Sequence, residues 1–78
     1  MADTHPATRA RFTAAVTHEG EWYVARCLEV EVTSQGPTFE SALVNLREAL
    51  ELFFEDASLA DVPPAPIIAP VEAEITAI

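Results

Sequence analysis

A run of apolar residues at helical spacing is the feature that most constrains the fold of this chain. The run forms one wide stripe, made of Phe39, Leu43, Leu46, Leu50, Phe53 and Phe54 and flanked by Ala42 and Ala49. Thr38 is a residue type that caps helix N-termini, and Glu40 in the first turn is favoured by the helix dipole. The pattern predicts an amphipathic helix from Thr38 to about Asp56 or Ala57, with the stripe facing a core.

Two alternating segments before this helix indicate a β-hairpin. Apolar residues recur at every second position over residues 11–17, and residues 18–21 then turn the chain, with Gly20 able to adopt positive φ at low cost. The second strand, residues 22–28, is apolar on both faces, with Trp22, Val24 and Leu28 on one and Tyr23, Ala25 and Cys27 on the other. We expect the helix to cover one face and another copy or another protein to cover the second.

The remaining segments predict two short strands. Residues 33–35 form a short strand that Gly36 and Pro37 close, and prolines at positions 63, 64, 66 and 70 make residues 63–70 an extended connector. Residues 71–76 alternate apolar and polar side chains, as in a final strand. With residues 1–10 as a frayed tail, the prediction is a single α+β domain over residues 11–78. Its order is β-β-β-α-β, with a mostly antiparallel sheet and one helix on one face.

The small size of the chain predicts self-association. A chain of 78 residues buries only roughly 60% of the surface that it exposes when unfolded. Cys27 is the only cysteine, so no disulfide can add stability, and an unpaired thiol fits a reducing compartment. We therefore expect a homo-dimer or tetramer in the cytoplasm. We expect no membrane association, because the sequence shows neither a signal peptide nor an apolar run of the roughly 18 residues that a span needs.

The net charge of the chain favours some classes of ligand over others. Thirteen acidic residues against four basic ones, all arginine, give a formal net charge of −9. Binding to DNA or RNA requires a basic surface that neutralises phosphates, so direct nucleic-acid binding is not expected. A basic protein is a better-suited partner, because opposite charge speeds encounters and selects partners. Excess acid also serves simple solubility.

The chemistry-bearing residues form no catalytic or metal-binding pattern. Cys27 has no motif around it, and His5 and His18 lie in a tail and a turn. The acid pairs at positions 29/31 and 72/74 have the spacing of solvent-facing strand positions, which accounts for them without a cation site. We expect no catalytic residue, no cofactor and no metal, and we assign Cys27 to the core as a small apolar residue.

Candidate interface residues lie on two elements. Val44 and Leu52 fall on the helix face opposite the stripe, near Glu48 and Glu51. Isolated exposed apolar residues are common on soluble proteins, so an ordinary solvated face is the simpler explanation of these two. The candidates for partner or oligomer contacts are Trp22, Tyr23, Val24, Val44, Glu48, Glu51 and Leu52.

Three consecutive segments resemble the HicB-like family of bacterial antitoxins. They are WYVARCLEV at residues 22–30, TSQGPT at residues 33–38 and ALVNLREALEL at residues 42–52, and the similarity covers roughly residues 11–56. The resemblance implies a β-β-β-α-β fold similar to a partial ribonuclease H fold. It also implies a partner, a small double-stranded-RNA-binding-like toxin that cleaves messenger RNA and whose active surface the antitoxin covers. Many members carry a C-terminal DNA-binding domain, whereas the similarity here is to a short form without one.

Two functional classes follow from the sequence. The first is an antitoxin-like module of a HicAB-type type II toxin–antitoxin system, which neutralises a small basic toxin by direct binding. The alternative is a stand-alone oligomeric HicB-like domain with a regulatory or unassigned role and no cognate toxin. A hydrolase by analogy with ribonuclease H would need a carboxylate cluster around a divalent metal, and fold analogy alone does not supply one.

Overall fold

The protein is a small α+β unit in which one helix packs on one face of a three-stranded antiparallel sheet. A computed structural model describes residues 9–76. The strands are β1 (Ala14–Glu19), β2 (Trp22–Cys27) and β3 (Thr33–Gly36), in the sheet order β1-β2-β3. The helix α1 spans Phe39–Phe53, and a short 3-10 turn spans Leu59–Asp61. The predicted tail lies mostly outside the described residues, since only residues 9 and 10 of it are described.

The hairpin between β1 and β2 is tighter than the sequence predicted. His18 pairs with Tyr23 and Glu19 pairs with Trp22, so the turn is two residues long rather than four. Gly20 has φ of 64°, as expected, and this conformation allows β1 to continue to Glu19. β2 ends at Cys27, one residue before the predicted end.

The start of α1 is confirmed in detail. Thr38 is the N-cap, and its Oγ1 accepts a hydrogen bond from the Ser41 N–H at 3.0 Å, while the Ser41 Oγ accepts one from the Thr38 N–H at 3.0 Å. These reciprocal bonds form a capping box. Glu40 lies in the first turn, where it complements the helix dipole.

The core lies between α1 and β2, and it confirms the predicted stripe in part. Its buried members are Ala25, Cys27, Ala42, Leu46 and Leu50. Cys27 is a buried free thiol, as predicted. The row at positions 42, 46 and 50 faces the sheet, and the small Ala42 brings the helix close. Phe39 and Phe53, expected in the stripe, are half-exposed at its two ends.

The end of α1 differs from the prediction. The helix stops at Phe53, three or four residues early, and Phe54 is its C-cap. The Phe54 ring stacks on Phe12 with centroids 5.4 Å apart, and the Phe53 ring meets it edge-on at 4.9 Å. This aromatic contact joins the end of the helix to the segment that leads into β1.

The predicted final strand is absent from the described structure. Residues 62–76 contain no strand, and the order observed is β-β-β-α. The alternation at residues 71–76 is real, but a strand forms only beside a partner strand, and residues 9–76 place none next to it. The expectation that the connector returns this segment to its own sheet was therefore wrong.

Candidate protein-binding surfaces

Six of the seven predicted interface residues lie on two surfaces that face opposite directions, and the seventh, Tyr23, lies on neither. α1 covers one face of the sheet, so its outer side points away from the sheet's other face. Trp22 and Val24 lie on that uncovered face, whereas Val44, Glu48, Glu51 and Leu52 lie on the outer side of α1. One flat partner surface cannot contact both groups.

The uncovered face of the sheet is more polar than the sequence predicted. Val24 is already buried within the chain, and Trp22 is half-exposed. Beside them, the Arg26 Nη1 lies 3.7 Å from the Glu19 Oε2 and 3.4 Å from the Thr17 Oγ1, and Thr17 donates to Glu19 at 2.8 Å. Of the three apolar residues predicted on this face, Trp22 and Leu28 are half-exposed and Val24 is buried. A polar cluster along β1 occupies the rest of this side.

Tyr23 is not part of that face. It lies on the helix side of β2, partly buried against the core. Its ring stacks on His18, with centroids 4.3 Å apart and planes 3° from parallel. His18 and Tyr23 are direct cross-strand partners, which brings their side chains together. Tyr23 therefore stabilises the hairpin, and the structure does not bring it together with Trp22 as a common contact surface.

The outer side of α1 forms an acidic ridge with two apolar residues in it. We define this ridge by six exposed residues: Glu40, Val44, Glu48, Glu51 and Leu52 on α1, and Glu55 two residues past its end. Leu52 is 66% exposed and Val44 is 44% exposed. The one ion pair between residues 9 and 76 joins Arg26 to Glu19, so none of the four ridge carboxylates is paired with an arginine. The ridge can pair with lysine and arginine side chains of another protein, and it carries one apolar residue on each side of Glu48.

Glu29 makes buried hydrogen bonds that the sequence patterns did not predict. Spacing placed Glu29 on a solvated side, yet it is buried. Its carboxylate accepts the Thr13 N–H at 2.8 Å, the Thr13 hydroxyl at 2.7 Å and the Cys27 thiol at 3.4 Å. Burial alone would raise the pKa of Glu29, but these hydrogen bonds outweigh it and lower the pKa from its usual 4.5. The carboxylate therefore closes the start of the sheet as an anion.

Asn45 is a second residue that the sequence patterns did not single out. Its Nδ2 donates to the Gln35 carbonyl at 2.8 Å, which ties α1 to the outer edge of β3. An asparagine on the exposed side of a helix carries no sequence signal for such a contact. The bond becomes visible only once the helix is placed over the strand.

An open groove lies between the end of α1 and the segment before β1. It measures about 420 Å³, with Phe12, Leu50, Phe54 and Leu59 as apolar walls and with Arg9, Arg47 and Glu51 as its charged residues.

Within the part of the chain that the structure describes, no group of three His, Cys, Asp or Glu side chains is placed to hold a metal ion. Nor is any helix there both long and apolar enough to span a bilayer.

Comparison with known proteins yields no relative: no family model, no curated protein and no solved structure matches this chain.

Proposed function

We propose that the chain is an antitoxin-like protein-binding module of a HicAB-type toxin–antitoxin system. In this role it binds a small basic protein that cleaves messenger RNA, and neutralises it by covering its active surface. The observation that carries the proposal is the acidic ridge of α1, whose four carboxylates have no arginine partner among the described residues. The HicB-like sequence resemblance and the net charge of −9 point to the same class of partner.

The ridge suits a protein that normally binds RNA. Such a protein attracts phosphates with lysine and arginine side chains, and a row of carboxylates competes for the same cations. Val44 and Leu52 lie between the carboxylates, where they lose water when a partner covers them. In this mechanism charge steers the encounter, and the apolar contacts slow dissociation.

A charge-matched pair of variants tests the role of the ridge. The experiment captures the product of the neighbouring gene on a biosensor surface and measures its binding to this chain. E48Q/E51Q removes two ridge carboxylates, whereas E21Q/E31Q removes two exposed carboxylates outside the helix. Both variants change the net charge equally. We expect only E48Q/E51Q to lower the association rate, by roughly two- to tenfold at low salt, and the difference to shrink as salt rises.

The apolar part of the ridge has its own test. V44A/L52A removes methyl groups from the ridge, and Leu28→Ala removes a comparable exposed apolar group elsewhere. We expect V44A/L52A to speed dissociation by roughly tenfold or more, because each buried methylene contributes about 0.8 kcal/mol. Leu28→Ala should leave the dissociation rate unchanged.

Growth rescue decides between this proposal and the stand-alone alternative. Co-expression with the neighbouring gene product should restore growth and give a complex that co-purifies. Absence of both effects would favour a stand-alone oligomeric domain. Tight binding of duplex DNA or RNA at physiological salt would contradict the charge argument, since we expect the chain itself to have neither nucleic-acid binding nor nuclease activity.

A further inference from the structure

The segment that follows the helix exposes apolar side chains that no other described residue covers. We call residues 62–76 the arm. Ile67 is 94% exposed, Val71 88% and Ile75 82%. Within residues 9–76, no backbone hydrogen bond joins residues 63–76 to the rest of the chain. Such a cluster of fully exposed large apolar residues marks an interaction site.

The arm carries the pattern of an edge strand on a half-covered sheet. Val71, Ala73 and Ile75 alternate with Glu72, Glu74 and Thr76. In a strand, the first set would lie on a covered face and the second on a solvated one. The sheet of this protein has these two faces, one under α1 and one open.

The outer edge of β1 can accept a strand. The Leu28 N–H donates a hydrogen bond to the Thr13 carbonyl at 2.9 Å, just before β1 begins. Because hydrogen-bonded pairs alternate along an antiparallel ladder, the odd-numbered residues of β1 are the ones whose backbone groups bond to β2. The N–H and C=O groups of Ala14, Val16 and His18 therefore point outward, and no residue from 9 to 76 bonds to them. α1 packs mainly on β2 and β3, so the side chains of Ala14 and Val16 are only partly covered.

The other edge of the sheet is closed to such an addition. β3 is four residues long and is followed by Pro37. Its outward-facing Gln35 carbonyl already accepts a hydrogen bond from Asn45. An incoming strand would have to displace that side chain, so the edge of β1 is the better acceptor.

The connector keeps the arm away from its own β1. Leu59 lines the same groove as Phe12, so the arm starts beside the beginning of β1. A proline-rich stretch of nine residues extends about 28 Å, whereas the six residues of β1 span only about 20 Å. An extended connector therefore carries residues 71–76 past the end of their own strand. The described chain is accordingly long and thin, at 68 × 29 × 16 Å.

Charge on the two sides is complementary. The arm has no basic residue and contains Glu72 and Glu74. Arg9 and Arg11 precede β1, and Arg26 lies on the open face of the sheet with its side chain against β1. Two of the four arginines of an otherwise acidic chain thus precede the strand that would receive the arm, and a third, ion-paired to Glu19, reaches that strand from β2.

We propose that the arm of one copy adds as a strand to the free β1 edge of a second copy, and that the exchange is reciprocal in a two-fold dimer. Val71 and Ile75 extend the core beside Ala14 and Val16 under the helix. Glu72 and Glu74 lie on the open face near the arginines. The missing fourth strand of each sheet is supplied by its partner.

The first test measures mass and hydrogen exchange on the full chain. Light scattering at tens of micromolar should give a dimer. In the dimer, the amides of Val16 and His18 should exchange about tenfold more slowly, or better, than in dilute samples where it dissociates. The Ala15 and Thr17 amides, already bonded to β2, serve as internal references. A monomer with protected outer amides would show that the arm folds on its own chain, and would overturn the proposal.

The second test uses a charge-matched pair of arm variants. V71D/I75D places two carboxylates on the side that faces the helix. A69D/T76D adds the same charge to the arm at other positions. Only V71D/I75D should convert the dimer to monomer and abolish the protection of Val16 and His18. Equal behaviour of the two variants, or a dimer whose outer amides remain unprotected, would exclude the β1 edge as the arm's site. A helical circular dichroism signal retained in V71D/I75D, together with continued protection of the Ala15 and Thr17 amides, shows that the helix and the three-stranded sheet remain folded.

Discussion

Glu29 and Thr13 make two hydrogen bonds with each other at the open end of the β1–β2 hairpin, opposite its turn. The Glu29 carboxylate accepts both the backbone N–H and the hydroxyl of Thr13, at 2.8 and 2.7 Å. The Thr13 carbonyl accepts a hydrogen bond from the Leu28 N–H. At this position of the β1–β2 ladder, one of the two hydrogen bonds is therefore between backbone groups, and the Glu29 side chain supplies the other. The sheet is closed at this end by a buried anion, and its stability is therefore linked to pH.

Glu29→Gln should lower stability at neutral pH by about 1.5–3 kcal/mol, because a hydrogen-bonded charged group is replaced by a neutral amide. The pKa of Glu29 is lowered in the folded protein from its usual 4.5. The stabilisation is therefore fully present above about 4.5 and is lost as the pH falls through the lower folded value. Urea unfolding of wild type and variant should converge as the pH falls through this window. Glu31→Gln, in the same loop but exposed, should show a much smaller difference, and a constant gap between Glu29→Gln and wild type from pH 7 to 2 would contradict the linkage.

Leu46 and Leu52 provide a matched comparison within one helix. Leu46 is 4% exposed in the core and Leu52 is 66% exposed on the ridge. Leu46→Ala should cost about 2–5 kcal/mol, most of the stability of so small a domain, whereas Leu52→Ala should stay within about 0.5 kcal/mol. Thermal melts of the two variants measure this difference, and similar melting temperatures would contradict the placement of the helix.

Thr38→Ala should destabilise the protein by about 1 kcal/mol, because the Ser41 N–H loses its acceptor at the start of α1. Thr38→Ser keeps the hydroxyl and should melt close to wild type. Denaturant midpoints of the three proteins test the capping box. An alanine variant as stable as the serine variant would mean that the cap contributes nothing.

Gly36→Ala should destabilise the protein by about 1–3 kcal/mol through overpacking. A Cβ at position 36 would lie 2.8 Å from the Ala42 nitrogen and would collide with the Ser41 Oγ, so α1 would have to move away from β3. Gly20→Ala is a useful contrast, because the space around its added Cβ is open and only backbone strain acts there. We expect the change at position 36 to disturb the near-ultraviolet signal of Tyr23, which pairs with Gly36, and the change at position 20 to lower stability alone.

Local patterns predicted the helix start and the three strands before it, because both depend on nearby residues, although β1 spans Ala14–Glu19 rather than residues 11–17. Thr38, Gly20 and the alternation in β1 and β2 act through their own backbone and immediate neighbours. The predicted end of α1 was wrong because the end depends on a residue distant in sequence. Phe12 stacks on Phe54, which is the C-cap of the helix. The exposure of Phe39 and Phe53 likewise follows from how the helix lies on the sheet.

The candidate surfaces were predicted less completely. Val44 and Leu52 are exposed, as their position on the helix indicated, but Tyr23 faces the helix side and Val24 is already covered. Glu29 alternates like a solvated strand residue, yet β2 ends before it, so the period of two no longer describes its direction. The final strand was predicted from a true alternation, although nothing in that alternation specifies which chain provides its partner.

The hydrogen bond from Asn45 to Gln35 also limits how many copies of this protein can add to one sheet. A sheet with two free edges is a template to which further chains add without end, which is how fibres begin. Here the cap on β3 leaves a single edge, and once that edge is filled the particle has no surface on which to continue. This amide, together with the short β3 and Pro37, thus favours a particle of finite size over an open-ended filament.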